Sequence, residues 1–199
     1  VQTCALPISS VLFEINAGKS LSFTAEGKTL NLQPLRRDNK IKKGLEIAFD
    51  VTADRIVIGP KLSFSGVLKG QTRPDGNGKA SLQGALYVNS KPLISEASLE
   101  TRFGPAGEYL QGVGLIGGAE AELSYMPGDA EAAELIILTE NAGRVLSGLG
   151  ITEAVRRGRM LMRTRFSDAT FERYSTTFDV DDFVVVEAPT AVRMFSVLS

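Results

Sequence analysis

The chain has 199 residues, 43% hydrophobic and 23% charged, with a formal net charge of −1. That is enough chain and enough apolar material for a real core, and the near-neutral balance argues against whole-chain binding to nucleic acid, which leaves a basic footprint. Histidine is absent and cysteine occurs once, at Cys4, which excludes Ser-His-Asp triads, Cys-His dyads, histidine metal sites and intrachain disulfides.

No apolar run approaches the roughly 20 residues that span a bilayer as a helix. The first segment, "VQTCALPI" (Val1–Ile8), lacks the basic start and long apolar stretch of a signal peptide. The codons GTG CAG ACG TGT GCT CTT CCG ATC spell it, and that string resembles a common sequencing adapter. Residues 1–8 are therefore expected to be an adapter artefact, Cys4 to carry no redox information, and the natural protein to extend upstream.

From Ser10 to Tyr125 the dominant period is two. In "GLEIAFDVT" Leu45, Ile47, Phe49 and Val51 share one face and Glu46, Ala48, Asp50 and Thr52 the other. Leu62 and Phe64 oppose Lys61, Ser63 and Ser65; Ala80, Leu82, Gly84, Leu86 and Val88 alternate with Ser81, Gln83 and Ala85. Ala97, Leu99 and Phe103 oppose Glu96, Glu100 and Arg102, and Ala121, Leu123 and Tyr125 oppose Glu120, Glu122 and Ser124. One apolar and one wet face, repeated, predicts antiparallel strands. The breaks carry turn chemistry. "RPDGNGK" (Arg73–Lys79) predicts a hairpin loop, "GPAG" (Gly104–Gly107) and "MPGD" (Met126–Asp129) predict turns, and "DNKIKKG" a polar connection.

Leu135 to Leu138 predicts another strand, after which the period changes. Ala142, Val145, Leu146 and Leu149 form a helical stripe, with Thr139 the expected N-cap and Gly148 or Gly150 the stop. "GRMLMRTRF" returns to strand, with Met160, Met162, Thr164 and Phe166 opposite Arg159, Arg163 and Arg165, and "TFERYSTTFDVDDFVVVEA" continues as one or two strands. "APTAVRMFSVLS" (Ala188–Ser199) places Pro189 near a helix start and Val192, Phe195 and Val197 or Leu198 at helical spacing. It stops without a cap, so the chain is expected to be a slice of something longer.

Three motifs suggest chemistry and each has a plainer explanation. Gly112-x-Gly114-x-x-Gly117 has dinucleotide-loop spacing, but a strand pattern follows it where the fingerprint needs a helix, so a glycine-softened sheet or bulge is expected. Asp179, Asp181, Asp182 and Glu187 alternate as on a solvated strand edge and lack the spacing of a calcium loop, so no metal is expected. Arg156, Arg157, Arg159, Arg163, Arg165 and Arg173 form a local basic concentration that could meet phosphate head groups, and a solvated face partly balanced by Glu153, Asp168 and Glu172 is the favoured account.

The stretch "TENAGRVLSGLGITEAVRRGRMLMRTRF…TFDVDDFVVVEAPTAVRMFSVLS" resembles the C-terminal region of the AsmA-like superfamily, in particular its large YhdP-like envelope proteins. The marks are Ala142-Gly143 with Val145, Leu146, Leu149 and Gly150, a turn ending in Gly158, then Asp182-Phe183, Ala188-Pro189 and an apolar helix. The likeness covers about Leu135 to Ser199. The usual turn carries two glycines, and Arg157-Gly158 stands in its place.

The resemblance implies a mainly β fold: a long, twisted antiparallel sheet of repeating type, curled into an open groove, with about two short helices. Residues 9–138 would form the β-rich groove segment, and 139–199 a helix-strand-helix continuation of it. It implies a periplasmic, inner-membrane-anchored protein of Gram-negative bacteria that shelters or conducts phospholipid acyl chains and supports the outer-membrane barrier. Leu45, Ile47, Phe49, Val51, Leu62, Phe64, Leu82, Leu86, Leu99, Met160 and Met162 are the expected lipid-contacting residues. Val145, Leu146 and Leu149 are expected to plug the groove, with Gly158 turning the chain back into the sheet. No catalytic residue, cofactor or nucleic acid comes with this reading, and other envelope proteins are possible partners. Two alternatives stand beside it: a structural or assembly module serving outer-membrane protein biogenesis, and, less favoured, an enzyme acting on envelope glycans through acidic pairs such as Asp181 and Asp182.

Overall fold

The structure, a computed structural model, describes residues 8–16, 20–31, 46–57, 62–104, 107–128, 133–167 and 173–186. The alternating sequence becomes strands β1 (Ile8–Asn16), β2 (Ser20–Asn31), β3 (Glu46–Val57), β4 (Leu62–Thr72), β5 (Gly78–Val88), β6 (Lys91–Gly104) and β7 (Gly107–Ile116). Then come β8 (Ala119–Pro127), β9 (Ala133–Thr139), the helix α1 (Ala142–Gly148), β10 (Val155–Arg156), β11 (Arg159–Phe166), β12 (Tyr174–Asp181) and β13 (Val184–Val185).

Eleven strands form one sheet in the order β1-β2-β3-β4-β5-β6-β7-β8-β9-β11-β12, and β10 pairs with β13 apart from it. The sheet is mainly β architecture at its simplest, open at both edges and curled. One pairing departs from expectation: β2 and β3 run parallel, so the sheet is mixed where alternation alone predicts antiparallel strands throughout. Alternation reports which face a side chain takes and is blind to strand direction. The polar connection "DNKIKKG", Leu45 and the expected C-terminal helix lie outside the described residues. So do Asp168, Glu172 and Glu187.

The turns follow their residues. In the β4–β5 hairpin Asp75 Oδ1 accepts from the Asn77 backbone N–H at 2.9 Å and Oδ2 from the Asn77 amide at 2.9 Å. These bonds, with the nearby Arg73 charge, hold the Asp75 carboxyl below its ordinary value. The dinucleotide-like spacing resolves as the end of β7 followed by a two-residue hairpin, with Gly117 at φ 59° and Gly118 at φ 74°. Two positive φ values in succession are the mark of a tight hairpin whose twist matches its strands.

Two irregularities shape the sheet. The β3–β4 register shifts between Ala53 and Ile56, and that of β6 shifts against both its neighbours around Glu96, which sits at φ 50°. Each extra residue returns the next apolar side chain to the same face, so Ile56 joins Val51 and Ala53, and Ile94 joins Ala97 and Leu99, in one buried cluster. Between them Gly27, Ala53, Gly66, Gly84 and Ala97 form a rung of small residues across five strands. At its centre Gly66 has φ 127°, and a Cβ there would collide with the Gln83 carbonyl of the paired strand. The two backbones meet without side chains between them, which is how a sheet bends sharply.

Gly66→Ala should therefore destabilise the protein by about 2 kcal/mol or more, while Gly76→Ala, where a Cβ meets nothing within 4 Å, should cost about 1 kcal/mol. Urea unfolding of the two variants checks this, and equal losses would remove the bend from the argument.

Candidate functional site

The apolar side chains stand in register. Ala25, Val51, Leu68, Leu82, Leu99, Gly112, Leu123, Ile137, Met162 and Phe178 are successive cross-strand partners from β2 to β12. Two residues along, Phe23, Phe49, Gly70, Ala80, Thr101, Leu110, Tyr125, Leu135, Thr164 and Thr176 form a second rung. Towards the other end of the strands Leu30, Ile56, Phe64, Leu86 and Ile94 form a third. Antiparallel pairing puts the β5–β6 and β7–β8 turns and the helix at that same end.

Burial is graded along this face. At the helix end Ile56 and Phe64 are 0% exposed, Ile94 2% and Ile116 1%. At the far end Phe23, Phe49, Leu110, Tyr125 and Leu135 are only half-buried, and the Phe23 and Phe49 rings stack with centroids 5.9 Å apart. The described residues among those expected to contact lipid all join this one face. Val51, Phe64, Leu82, Leu99, Met160 and Met162 are buried in its cluster, while Ile47, Phe49, Leu62 and Leu86 are half-buried. Leu45 lies outside the described residues. Ile56, Ile94, Ile116, Leu123 and Ile137 belong to the same cluster, and sequence reasoning did not put them on the list of contacts. The bulges hide Ile56 and Ile94 from a strict period of two; Ile137 sits in an apolar run whose phase the sequence leaves open.

The helix packs at this end on β7, β8 and β10. Ala142 and Val145 are fully buried, Leu146 nearly so, and Leu149 packs partly buried against the same cluster. Its start differs from expectation. Asn141 is the N-cap, its side-chain oxygen accepting from the Arg144 N–H at 3.3 Å. Thr139 is the last residue of β9; its hydroxyl donates to the Glu120 carbonyl at 2.7 Å and accepts from the Asn141 N–H at 3.1 Å. Its acceptor lone pair thus serves the residue before the helix and not the first helical turn. The first two helical N–H groups are also met across the turn, Ala142 by the Gly158 carbonyl at 2.6 Å and Gly143 by the Arg157 carbonyl at 3.1 Å. The stop is as expected. Gly150 at φ 72° donates to the Ser147 carbonyl and Ile151 to the Leu146 carbonyl, both at 2.9 Å, the paired bonds of a Schellman ending.

Glycines make this docking possible. A Cβ on Gly143 would lie 2.6 Å from the Val155 carbonyl oxygen, and one on Gly158 2.7 Å from that of Asp181. Arg157 and Gly158 both take positive φ, 60° and 87°. Two glycines would suit this turn, and Arg157 adopts the left-handed region at a cost of about 1 kcal/mol.

The polar face holds the remaining chemistry. Asp179 and Asp181 line a cleft of about 560 Å³ with Glu120, Glu122, Glu140 and Arg159. The described residues contain no group of three or more acidic or thiol side chains able to hold a metal ion. Arg159, Arg163 and Arg165 are exposed on β11, and Arg165 meets Glu134 on β9 at 3.1 Å. The acid that balances this face is thus cross-strand, and Glu153 lies instead beside Arg144, Arg156 and Arg157 in a cleft of about 580 Å³ against the helix. A third cleft, about 630 Å³, opens on the polar face at the far end of β4 to β8.

No helix among the described residues is long and apolar enough to cross a membrane. No family model, curated protein or solved structure gives a significant match to the chain.

Two substitutions should move stability in opposite directions. Arg157→Gly relieves the left-handed arginine and should stabilise by about 0.5–1 kcal/mol; Asn141→Ala removes the cap and should cost about 1 kcal/mol. Thermal unfolding of both reads the signs directly, and a destabilised Arg157→Gly would show that the arginine side chain holds the turn.

Proposed function

We propose that the chain is part of an envelope protein whose apolar sheet face shelters phospholipid acyl chains passing between inner and outer membranes, in support of the outer-membrane barrier. In this reading it works in the periplasm, is tied to the inner membrane through parts beyond this chain, and has neither catalytic residues nor a cofactor. The observation that carries it is the graded apolar face of one open sheet: tightly buried around Ile56, Phe64, Ile94 and Ile116 at one end and only half-buried around Phe23, Phe49, Leu110, Tyr125 and Leu135 at the other. A trough of this kind needs no polar chemistry to hold its ligand, because each buried methylene contributes about 0.8 kcal/mol. The likeness of residues 135–199 to YhdP-like proteins points the same way.

The assembly-module reading draws on a different observation. The last strand of the sheet, β12, exposes Tyr174 and Phe178 beside a backbone edge that no other strand among the described residues pairs, which is a surface for adding another strand.

Lipid extraction and mass spectrometry of the purified chain discriminate the two. Phospholipid should co-purify, and Phe49→Glu should lower its occupancy by about tenfold or more while far-ultraviolet circular dichroism stays unchanged, because Phe49 is half-buried. Phe64→Glu, at a fully buried position, should unfold the protein and cannot serve as the probe. A lipid-free wild type, or a Phe49→Glu protein that keeps its lipid, favours the assembly module.

A further inference from the structure

The polar face carries one charge arrangement that the fold does not explain. Gln71, Lys79, Arg102 and Tyr109 are successive cross-strand partners on β4, β5, β6 and β7. Lys79 and Arg102 thus stand directly opposite each other, with Cβ atoms about 5 Å apart, where like charges destabilise a sheet. Two cations of this face do meet acids, Lys69 with Asp50 at 2.8 Å and Arg165 with Glu134 at 3.1 Å. Among the described residues neither Lys79 nor Arg102 has such a partner.

This pair lines the cleft of about 630 Å³ together with Arg73, whose charge is felt by Asp75 beside the cleft, and with the carboxylate of Glu100. Glu100 sits on β6 two residues from Arg102 and opposite Gln111, without an ion pair to either cation. Tyr109, 46% exposed, and Met126, 37% exposed, give the cleft an apolar floor beside the charges. Gln71 and Gln111 add amides that donate and accept.

We propose that this cleft binds a phosphate-bearing organic ligand. Lys79 and Arg102 hold the phosphate, Tyr109 carries the organic group, and Gln71 and Gln111 complete the hydrogen bonds. Two adjacent cations match a doubly charged anion, and the guanidinium supplies the paired donors that phosphate oxygens accept while the ammonium supplies a point charge. The site lies on the face opposite the apolar trough and stands independently of the acyl-chain reading. The phosphate can come from a free phosphorylated sugar or from a membrane headgroup.

The test uses glucose 6-phosphate by calorimetric titration and vesicles of phosphatidylglycerol against phosphatidylcholine by co-sedimentation. Lys79→Glu places an acid opposite Arg102, so it should raise the melting temperature by about 2 °C and weaken binding by about tenfold or more. Lys28→Glu makes the same charge change on β2, away from the cleft, and should leave binding intact. Binding of glucose 6-phosphate identifies a soluble source and binding of phosphatidylglycerol vesicles alone a membrane source; either, when lost in Lys79→Glu only, supports the site. Binding of neither probe, equal loss in Lys28→Glu, or a lower melting temperature in Lys79→Glu overturns it.

Discussion

Eleven strands in one layer present an apolar face against which the described residues set no second sheet, and the fold is shaped by that constraint. Burial of such a face normally comes from another sheet or a row of helices. Here a single helix of 7 residues is all that the described residues set against it. At the small-residue rung around Gly66 and Gly84 two strand backbones approach closely, and larger side chains there would hold them apart. Close packing at the helix end and looseness at the other are two results of the same asymmetry.

Much of this is legible in the sequence because a period of two needs no tertiary knowledge. The face carrying Phe49, Phe64, Leu82, Leu99 and Met162 follows from alternation alone. What alternation cannot carry is irregularity. A bulge inserts one residue and resets the phase, so Ile56 and Ile94 look misplaced until the register is known. Strand direction is equally silent: β2 and β3 would alternate in the same way whether parallel or antiparallel. The N-cap failed for a different reason. Thr139 and Asn141 are both good caps; Thr139 closes β9 and its hydroxyl accepts from the Asn141 N–H, which leaves the Arg144 N–H to the Asn141 side chain. The gradient of burial, on which the functional proposal turns, depends on where the helix docks and on how the strand ends align, neither of which is local information.

The segment from Ala142 to Gly158 gains a physical account. Its small residues mark close approach and do no chemistry. Gly143 admits the β10 backbone, Gly158 admits that of Asp181, and the helix gives its first two N–H groups to the Arg157 and Gly158 carbonyls. Small residues at these positions therefore fasten a short helix to a sheet, and Arg157, at φ 60°, shows up there as a strained backbone and not as a lost contact.

The strand order has a mechanical consequence. Apart from β10 and β13, each strand bonds only to those next to it in the chain, with the helix spliced between β9 and β11. Such a molecule behaves as a line of nearest-neighbour couplings, more like a stacked repeat than a globule with one indivisible core. Its order can grow from any stable hairpin and spread outwards, and it can fray from β12 without disturbing β3. Cooperativity is then a matter of distance along the sheet, strongest where the β2 to β6 ladders are long and weaker around the short β9. A sheet built this way can lengthen or shorten by whole strands at either edge while its interior keeps the same physics.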